Sequence, residues 1–180
     1  MKQSDVNMEQ VKSVSDLPGS KEEWIGMNDA DAKVIRIQQH YGIQFPQGYL
    51  DFIQLHGGMS FDRMQGTEVQ DWDIRFHLLD DQFIANNAEL VDEVNPDPQW
   101  IIPIVWSVSS GNNYLLDYRQ NKETPSVLFM EHELAMVRED AESEADTSEE
   151  AQRFMEENVQ PIATHFEAFV TLLQARPSLG

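Results

Sequence analysis

Three groups of polar residues have side chains of the kinds that bind metals or catalyse reactions. The first is Glu131-His132-Glu133, in which both residue types bind zinc or manganese. On a strand, however, neighbouring side chains point to opposite faces, so these three cannot converge on one ion. The other four histidines are scattered and form no His-x-x-x-His pair. We therefore expect these residues to have structural or partner-contacting roles, and we expect neither a metal nor a cofactor.

The second group is a pair of carboxylates, Asp117 and Glu131, which adjacent strands could bring together as an acid–base pair for a cationic or sugar substrate. In so acidic a chain such pairs arise by chance, and no nucleophile or oxyanion loop accompanies this one. The third group, residues 107–111, lacks the glycine that precedes the serine of a nucleophile elbow and the lysine that follows a phosphate loop. We therefore expect no catalytic residue and favour a protein that is not an enzyme.

The stretch that must position these groups is residues 100–133, whose pattern predicts three consecutive strands. Tyr114, Leu116 and Tyr118 recur with the period of two that is typical of a strand. Residues 107–112 form the first predicted turn, in which Gly111 can adopt a positive φ. The result is a β-meander with an apolar face that helices must cover.

The flanking segments supply these helices and a further strand. A helix with an apolar stripe is predicted to end at Gly42, and Pro46 is placed to open a second helix that ends at Gly57-Gly58. The alternation of apolar and polar residues from 72 to 78 predicts a strand. We expect Trp72, Ile74, Phe76 and Leu78 on its buried side and Asp71 and Asp73 on its solvent-facing side.

The C-terminal third combines an acidic stretch with two capping patterns. Residues 138–150 form either a solvated loop or the start of a helix. Thr147 with Glu150, and Thr164 with Glu167, fit capping boxes, and the second would open a final helix that covers the sheet.

Composition limits the functions that the chain can have. Its 180 residues suit one domain, for which we expect residues 21–176, preceded by a flexible tail at residues 1–20. Lys and Arg number 12 against 32 Asp and Glu, a net charge of −20, which argues against binding nucleic acid or an anionic membrane. With no cysteine, and no apolar run at the start of the sequence, we expect a cytoplasmic protein. The acidity either serves solubility alone or attracts a basic partner.

A series of short motifs runs through residues 29–173. Each is only a turn or a pair of hydrophobic residues, so their order along the chain is the distinctive feature. They are Gly42-Ile43-Gln44-Phe45-Pro46, His56-Gly57-Gly58, Ile102-Pro103, Gly111-Asn112-Asn113-Tyr114 with Leu116-Asp117, Glu131-His132-Glu133, and His165-Phe166-Glu167-Ala168-Phe169.

In this order the motifs resemble the SUKH superfamily, which includes bacterial toxin-immunity proteins and fungal regulators of cell-wall synthesis. The chain differs in having His56 where members have asparagine, and in an acidic stretch at 138–150 that is longer than the usual connection. The resemblance implies an α+β fold, in which an antiparallel sheet of about four to six strands is covered by the helical pair and a C-terminal helix. It also implies structural roles for Gly42, Pro46, Gly57, Gly58, Pro103, Gly111, Asn112, Tyr114, Asp117, His132, Glu133, Phe166 and Phe169.

The function that the resemblance implies is binding and neutralising a cognate toxin. A nuclease toxin must be basic where it contacts phosphate, so the net negative charge suits an inhibitor of such a protein. The alternative is a non-enzymatic regulatory or scaffold module that binds a cellular protein. For either partner we expect the contact at the densest exposed carboxylates: Asp71, Asp73, Glu139, Asp140, Glu142, Glu144, Asp146, Glu149 and Glu150.

Overall fold

The computed structural model describes residues 29–65 and 68–176, and its central element is one seven-stranded antiparallel sheet. The strands are Phe61–Gln65 (β1), Glu68–Phe76 (β2), Ile101–Ser107 (β3), Asn113–Asp117 (β4), Ser126–Met130 (β5), Val159–Ala163 (β6) and Leu173–Ala175 (β7). They are hydrogen-bonded in the order β6-β5-β4-β3-β2-β1-β7. The helices are Asp29–Tyr41 (α1), Gln47–His56 (α2), Phe83–Leu90 (α3), Arg138–Glu144 (α4), Ser148–Glu156 (α5) and Phe166–Val170 (α6).

The predicted α+β class is confirmed, and so is the meander, which appears as β3, β4 and β5. Seven strands exceed the predicted four to six. The strand β6 contains Pro161, and it lies at an edge of the sheet, where a proline is tolerated because no neighbouring strand needs its missing N–H. The predicted tail, residues 1–20, and the first residues of the predicted domain lie outside the described residues.

The sheet is curled, and helices fill its inner face. The curl is evident because Arg63 of β1 reaches Tyr114 of β4 across two intervening strands. Rings from α2 and α6 fill the space inside, with Tyr49 and Phe166 at 5.4 Å and Phe169 and Tyr114 at 5.3 Å between ring centroids. The helical pair and α6 therefore cover the inner face, as predicted.

Two residues, Gly42 and Gln38, determine the conformation of the joint between α1 and α2. Gly42 ends α1 with a φ of 68°, which an L side chain adopts only with strain. The side chain of Gln38, buried in α1, accepts a hydrogen bond from the backbone N–H of Phe45 at 2.8 Å. Pro46 then stands at the N-cap of α2, as the sequence predicts.

The meander is buried on both faces, whereas the sequence predicted one apolar face. Leu115, Leu128 and Met130 point away from α2 and form a second cluster with Val91, which follows α3. The chain after α3 and the start of the segment that follows β5 cover this outer face. Every residue of β4 is consequently buried.

The predicted alternation in residues 72–78 is wrong at both ends. Phe61 pairs with Ile74 but Arg63 pairs with Asp71, so β2 contains a bulge with one extra residue there. Asp73 has a φ of 51°, the one positive value at a non-glycine among the described residues. The bulge turns Asp71 inward, to 1% exposure, and leaves Trp72 50% exposed, while Leu78 lies beyond the strand and is also exposed.

The predicted C-terminal helix is shorter than expected. Thr164 makes no cap to the backbone of α6, and its hydroxyl contacts the ring of His165 instead. The helix ends after one turn, and the chain that follows it forms β7, which pairs with β1. Sheet pairing at this edge prevails over the helical periodicity of the sequence.

His77 provides a test of the packing just after β2. Its ring stacks on Trp106 at 4.8 Å between centroids, and its Nε2 atom is buried without a hydrogen-bond partner among the described residues. Burial lowers the pKa of His77 to about 4, against a smaller opposing effect of the Asp80 carboxylate. The imidazole is therefore neutral at pH 7.

We expect this histidine to destabilise the fold in acid. Between pH 6.5 and 4 the unfolded chain binds a proton at His77 that the native chain does not, so the free energy of unfolding falls as the pH falls. His77→Phe should remove about 2 kcal/mol of the loss between pH 7 and pH 5, measured by urea unfolding at both values. Equal losses in the variant and the wild type would show that His77 titrates normally in the folded protein.

Candidate partner-binding surface

The segment between β5 and β6 forms a helical excursion that we call the acidic lobe, residues 131–157. Met130 pairs with Val159, so the chain leaves the sheet and returns to it at the same place. Between these points lie a short 3-10 turn, His132–Leu134, and the helices α4 and α5. Residues 138–150 are therefore mostly helical, and the loop alternative is wrong.

The predicted N-cap at Thr147 is confirmed, but the return bond to the Glu150 carboxylate comes from Asp146, one residue before the cap. The Thr147 hydroxyl accepts a hydrogen bond from the backbone N–H of Glu150 at 3.1 Å, and the Glu150 carboxylate accepts one from the backbone N–H of Asp146. These bonds satisfy backbone N–H groups at the start of α5. Ala141, Ala151 and Met155 then pack α4 against α5.

Two arginines tie the lobe to the rest of the domain. The Arg138 guanidinium donates to the backbone carbonyls of Asn95 and Pro96 at 3.0 and 3.2 Å. Arg119, at the end of the meander, bonds the Glu156 carboxylate at 2.6 Å and the Asp117 carboxylate at 3.0 Å. Both guanidinium groups therefore bind groups at the base of the lobe.

The surface of the lobe is almost entirely negatively charged. The lobe holds eleven carboxylates and two arginines, so it carries nine of the chain's twenty net negative charges. Nine of the eleven carboxylate residues are exposed. The two half-buried ones, Glu150 and Glu156, are those paired with arginines. The outward-facing charge is therefore negative and largely uncompensated.

The predicted partner-binding residues fall into two groups. Those of the lobe lie on α4, on α5 or between them: Glu139, Asp140, Glu142, Glu144, Asp146, Glu149 and Glu150. Asp71 and Asp73 lie on β2, and no hydrogen bond or ion pair in the described part of the chain joins them to residues 138–150. Asp73 is half-buried and bound to Ser60 and Arg75. The prediction that Asp71 is exposed is wrong, because the bulge turns it inward.

Asp71 instead forms the centre of a buried polar network. Its carboxylate accepts hydrogen bonds from the Tyr114 hydroxyl at 2.8 Å and from the Ser110 hydroxyl at 3.1 Å. The Asn112 amide approaches it at 3.4 Å. The Tyr114 hydroxyl in turn accepts from Nε of Arg63 at 2.9 Å, so the phenol lies between a cation and an anion. Burial raises the pKa of Tyr114 above its ordinary value, as does the Asp71 charge, which keeps the hydroxyl protonated.

The same network reaches the start of the lobe. Asn112 accepts a hydrogen bond from the backbone N–H of His132 at 2.9 Å. Gly111 has a φ of 78°, and a Cβ there would lie 3.1 Å from Cγ of His132. Gly111 and Asn112 of the turn are therefore in contact with His132 at the start of the lobe. Glu133 follows in the 3-10 turn, exposed, and not on a strand as predicted.

The remaining motif residues lie elsewhere in the fold. Asp117 holds Arg119 at the opposite end of β4 from Asn113, which pairs with Met130. Glu131 therefore lies at the other end of the strands from Asp117, and the two do not form a carboxylate pair. Gly42, Pro46, Gly57 and Gly58 shape the helical pair, Pro103 is buried in β3, and Phe166 and Phe169 pack inside the sheet.

Residues 29–65 and 68–176 contain no group of three or more His, Cys, Asp or Glu side chains placed to hold a metal ion. Nor do they include a helix with the length and apolar character needed to cross a membrane.

Comparison with known families identifies the fold. The model of the SMI1 / KNR4 family (SUKH-1) matches residues 30–172, from α1 to the end of α6. The chain belongs to this family. Members of the SUKH family are generally non-enzymatic immunity proteins, so membership is consistent with an immunity-type role in a toxin system. No curated protein and no solved structure matches the chain.

Sequence reasoning missed several residues that shape this SUKH surface. Arg63, Arg138 and Asn158 have no distinctive neighbours in the sequence, and their partners are more than 20 residues away. Leu134 is 75% exposed, although it opens the apolar run Leu134-Ala135-Met136-Val137. Such a run gives no local signal that its first residue is exposed.

The buried network predicts different costs for two similar substitutions. Tyr114→Phe removes a hydroxyl that serves both Arg63 and Asp71, so we expect the free energy of unfolding to fall by about 2 kcal/mol. Tyr118→Phe is the matched control, because its hydroxyl donates only to the Gln44 carbonyl, and about 1 kcal/mol is expected. Urea unfolding measures both values. Equal costs would mean that the Arg63–Tyr114–Asp71 arrangement adds no stability.

Proposed function

We propose that this protein is an immunity protein that binds a basic, nuclease-like toxin domain made by the same cell and neutralises it. The proposal rests on family membership and on one structural observation. That observation is the concentration of nine exposed carboxylate residues on the lobe, whose arginines are paired or turned toward the domain.

The electrostatic argument has two steps. A nuclease presents lysine and arginine where it contacts phosphates, so the surface that must be blocked is basic. A partner with a one-signed acidic surface accelerates encounter with such a surface and repels nucleic acid. The acidic surface of the lobe suits both roles, and neither role requires a catalytic residue.

The lobe is also rigid enough to act as a binding surface. Its two ends are fixed by the pairing of Met130 with Val159, and Arg138 and Arg119 fasten it at two further points. A surface that is ordered before binding loses less conformational entropy when the complex forms.

The direct test is to look for a basic toxin domain in the reading frame beside this gene and to co-express it with this protein. We expect the wild-type protein to restore growth and to form a 1:1 complex with the purified toxin domain. Failure to bind that domain, together with capture of a non-toxic cellular protein and loss of regulation on gene deletion, would favour the regulatory module instead.

Charge reversal on the lobe should slow association with the toxin domain. For Glu142→Lys with Glu144→Lys, we expect the association rate at low salt to fall about tenfold, and the difference to shrink as salt screens the charges. The matched control is Asp51→Lys with Glu123→Lys, an equal charge change at exposed positions outside the lobe. Stopped-flow fluorescence measures both rates. Equal slowing by the two pairs would mean that only net charge matters and that the lobe has no special part.

A further inference from the structure

The bulge in β2 exposes a tryptophan on the outer face of the sheet. Trp72 and Asp73 together stand opposite Asp62 of β1. The residues on either side of them, Asp71 and Ile74, point inward. In a regular strand Trp72 would share the buried face of Ile74, whereas here it is 50% exposed and is the one aromatic ring among the exposed large apolar side chains of the described residues. An indole in such a position forgoes the free energy of burial unless a partner covers it.

Three hydrogen bonds join the bulge to the turn after β3. The backbone N–H of Val108 donates to the Asp73 carbonyl at 2.9 Å, and the hydroxyls of Ser107 and Ser109 each donate to the Trp72 carbonyl at 2.7 Å. Val108 is itself 47% exposed, so the joined segments present two apolar side chains, which we call the tryptophan patch. Because the backbone of the patch is fixed before a partner arrives, binding there loses little conformational entropy.

The charged groups beside the patch neutralise one another. Arg75 pairs with Asp73 at 3.0 Å, and Arg176 pairs with Asp62 at 3.4 Å. Asp73 also has the positive φ of 51°, and backbone outliers of this kind cluster at functional sites. An exposed tryptophan beside polar groups that are already satisfied is typical of the centre of a binding interface.

The tryptophan patch and the acidic lobe belong to one surface. Val108 and Gly111 are three residues apart, so their Cα atoms lie within about 11 Å of each other. Gly111 and Asn112 contact His132, the second residue of the lobe. Ala135 packs on the outer cluster, so the lobe begins on the same face of the sheet as the patch. A standard interface covers about 800 Å² on each partner, a disc about 30 Å across, so a domain bound at the start of the lobe is wide enough to cover the patch.

The chemistry of the patch suits a basic surface. The face of an indole attracts the ammonium and guanidinium groups of lysine and arginine, and their aliphatic stems pack on apolar surface. We propose that Trp72, together with Val108, is the anchor that holds the basic surface of the toxin domain, while the lobe speeds the encounter. This inference rests on the proposed function and names the anchor of that interface.

Truncating the anchor should act on dissociation more than on association. We expect Trp72→Ala to raise the dissociation rate of the complex with the toxin domain about thirtyfold, and Val108→Ala about threefold. The matched control is Leu55→Ala, because Leu55 is 75% exposed on α2 and lies outside the patch. It should change the rate less than about twofold. Val108→Ala, on an exposed turn, decides the matter if Trp72→Ala does not fold.

A second measurement follows the indole itself. The amides of Trp72 and Val108 are already hydrogen-bonded in the free protein, so the side chain of Trp72 is the better probe. With 5-fluorotryptophan incorporated and the Trp72 resonance assigned from Trp72→Phe, we expect the fluorine shift to differ between H₂O and D₂O in the free protein. In the complex this solvent effect should disappear. A solvent effect that persists in the complex would overturn the proposal.

The anchor and the proposed function fail in different ways. If the toxin domain binds the wild type, and Trp72→Ala and Val108→Ala dissociate at the wild-type rate, the anchor is overturned while the immunity function stands. If the toxin domain does not bind the wild type at all, both are overturned, since the anchor is assigned to that domain. If Trp72→Ala turns a wild-type dimer into a monomer in sedimentation, the patch serves self-association and the proposal is overturned.

Discussion

The pairing of Met130 with Val159 is the constraint on which the functional surface depends. Because β5 and β6 are adjacent, everything between them must leave the sheet and return at one point. The lobe can therefore concentrate charge in a small area without disturbing the sheet. Arg119 and Arg138 complete this arrangement, since they bind groups at its base and leave the outward face acidic. The pairing of β5 with β6 and the two arginines thus together determine where the acidic surface lies.

The inner polar network has a complementary role. A buried carboxylate needs several donors, and Asp71 has them because the bulge in β2 turns it toward Tyr114 and the turn at residues 107–112. The positive φ of Asp73 has an energetic cost, which the hydrogen bonds from Ser60 and Arg75 to its side chain offset. The network continues through Asn112 to His132, where the lobe begins. The turn and the lobe are therefore held in fixed relation to the curled sheet.

The sequence predicted the features that depend on local chemistry. The meander, the end of α1 at Gly42 and the cap at Thr147 all follow from periodicity or from single residues with strong backbone preferences. What it missed depends on distant pairing. The bulge places a positive φ at an aspartate, β7 forms because β1 is available beside it, and Asn158 ties the lobe to the chain after α3 by bonding to Val94 and Met136. No local pattern encodes these contacts.

The central claim is that the acidic lobe is the surface that contacts the toxin domain. Hydrogen–deuterium exchange of the protein alone and in complex with the toxin domain that it is proposed to neutralise tests this most directly. The account predicts that protection on binding is concentrated in residues 131–160, with little change in α1 and α2. Protection confined to the helical pair, with unchanged exchange across the lobe, would contradict it.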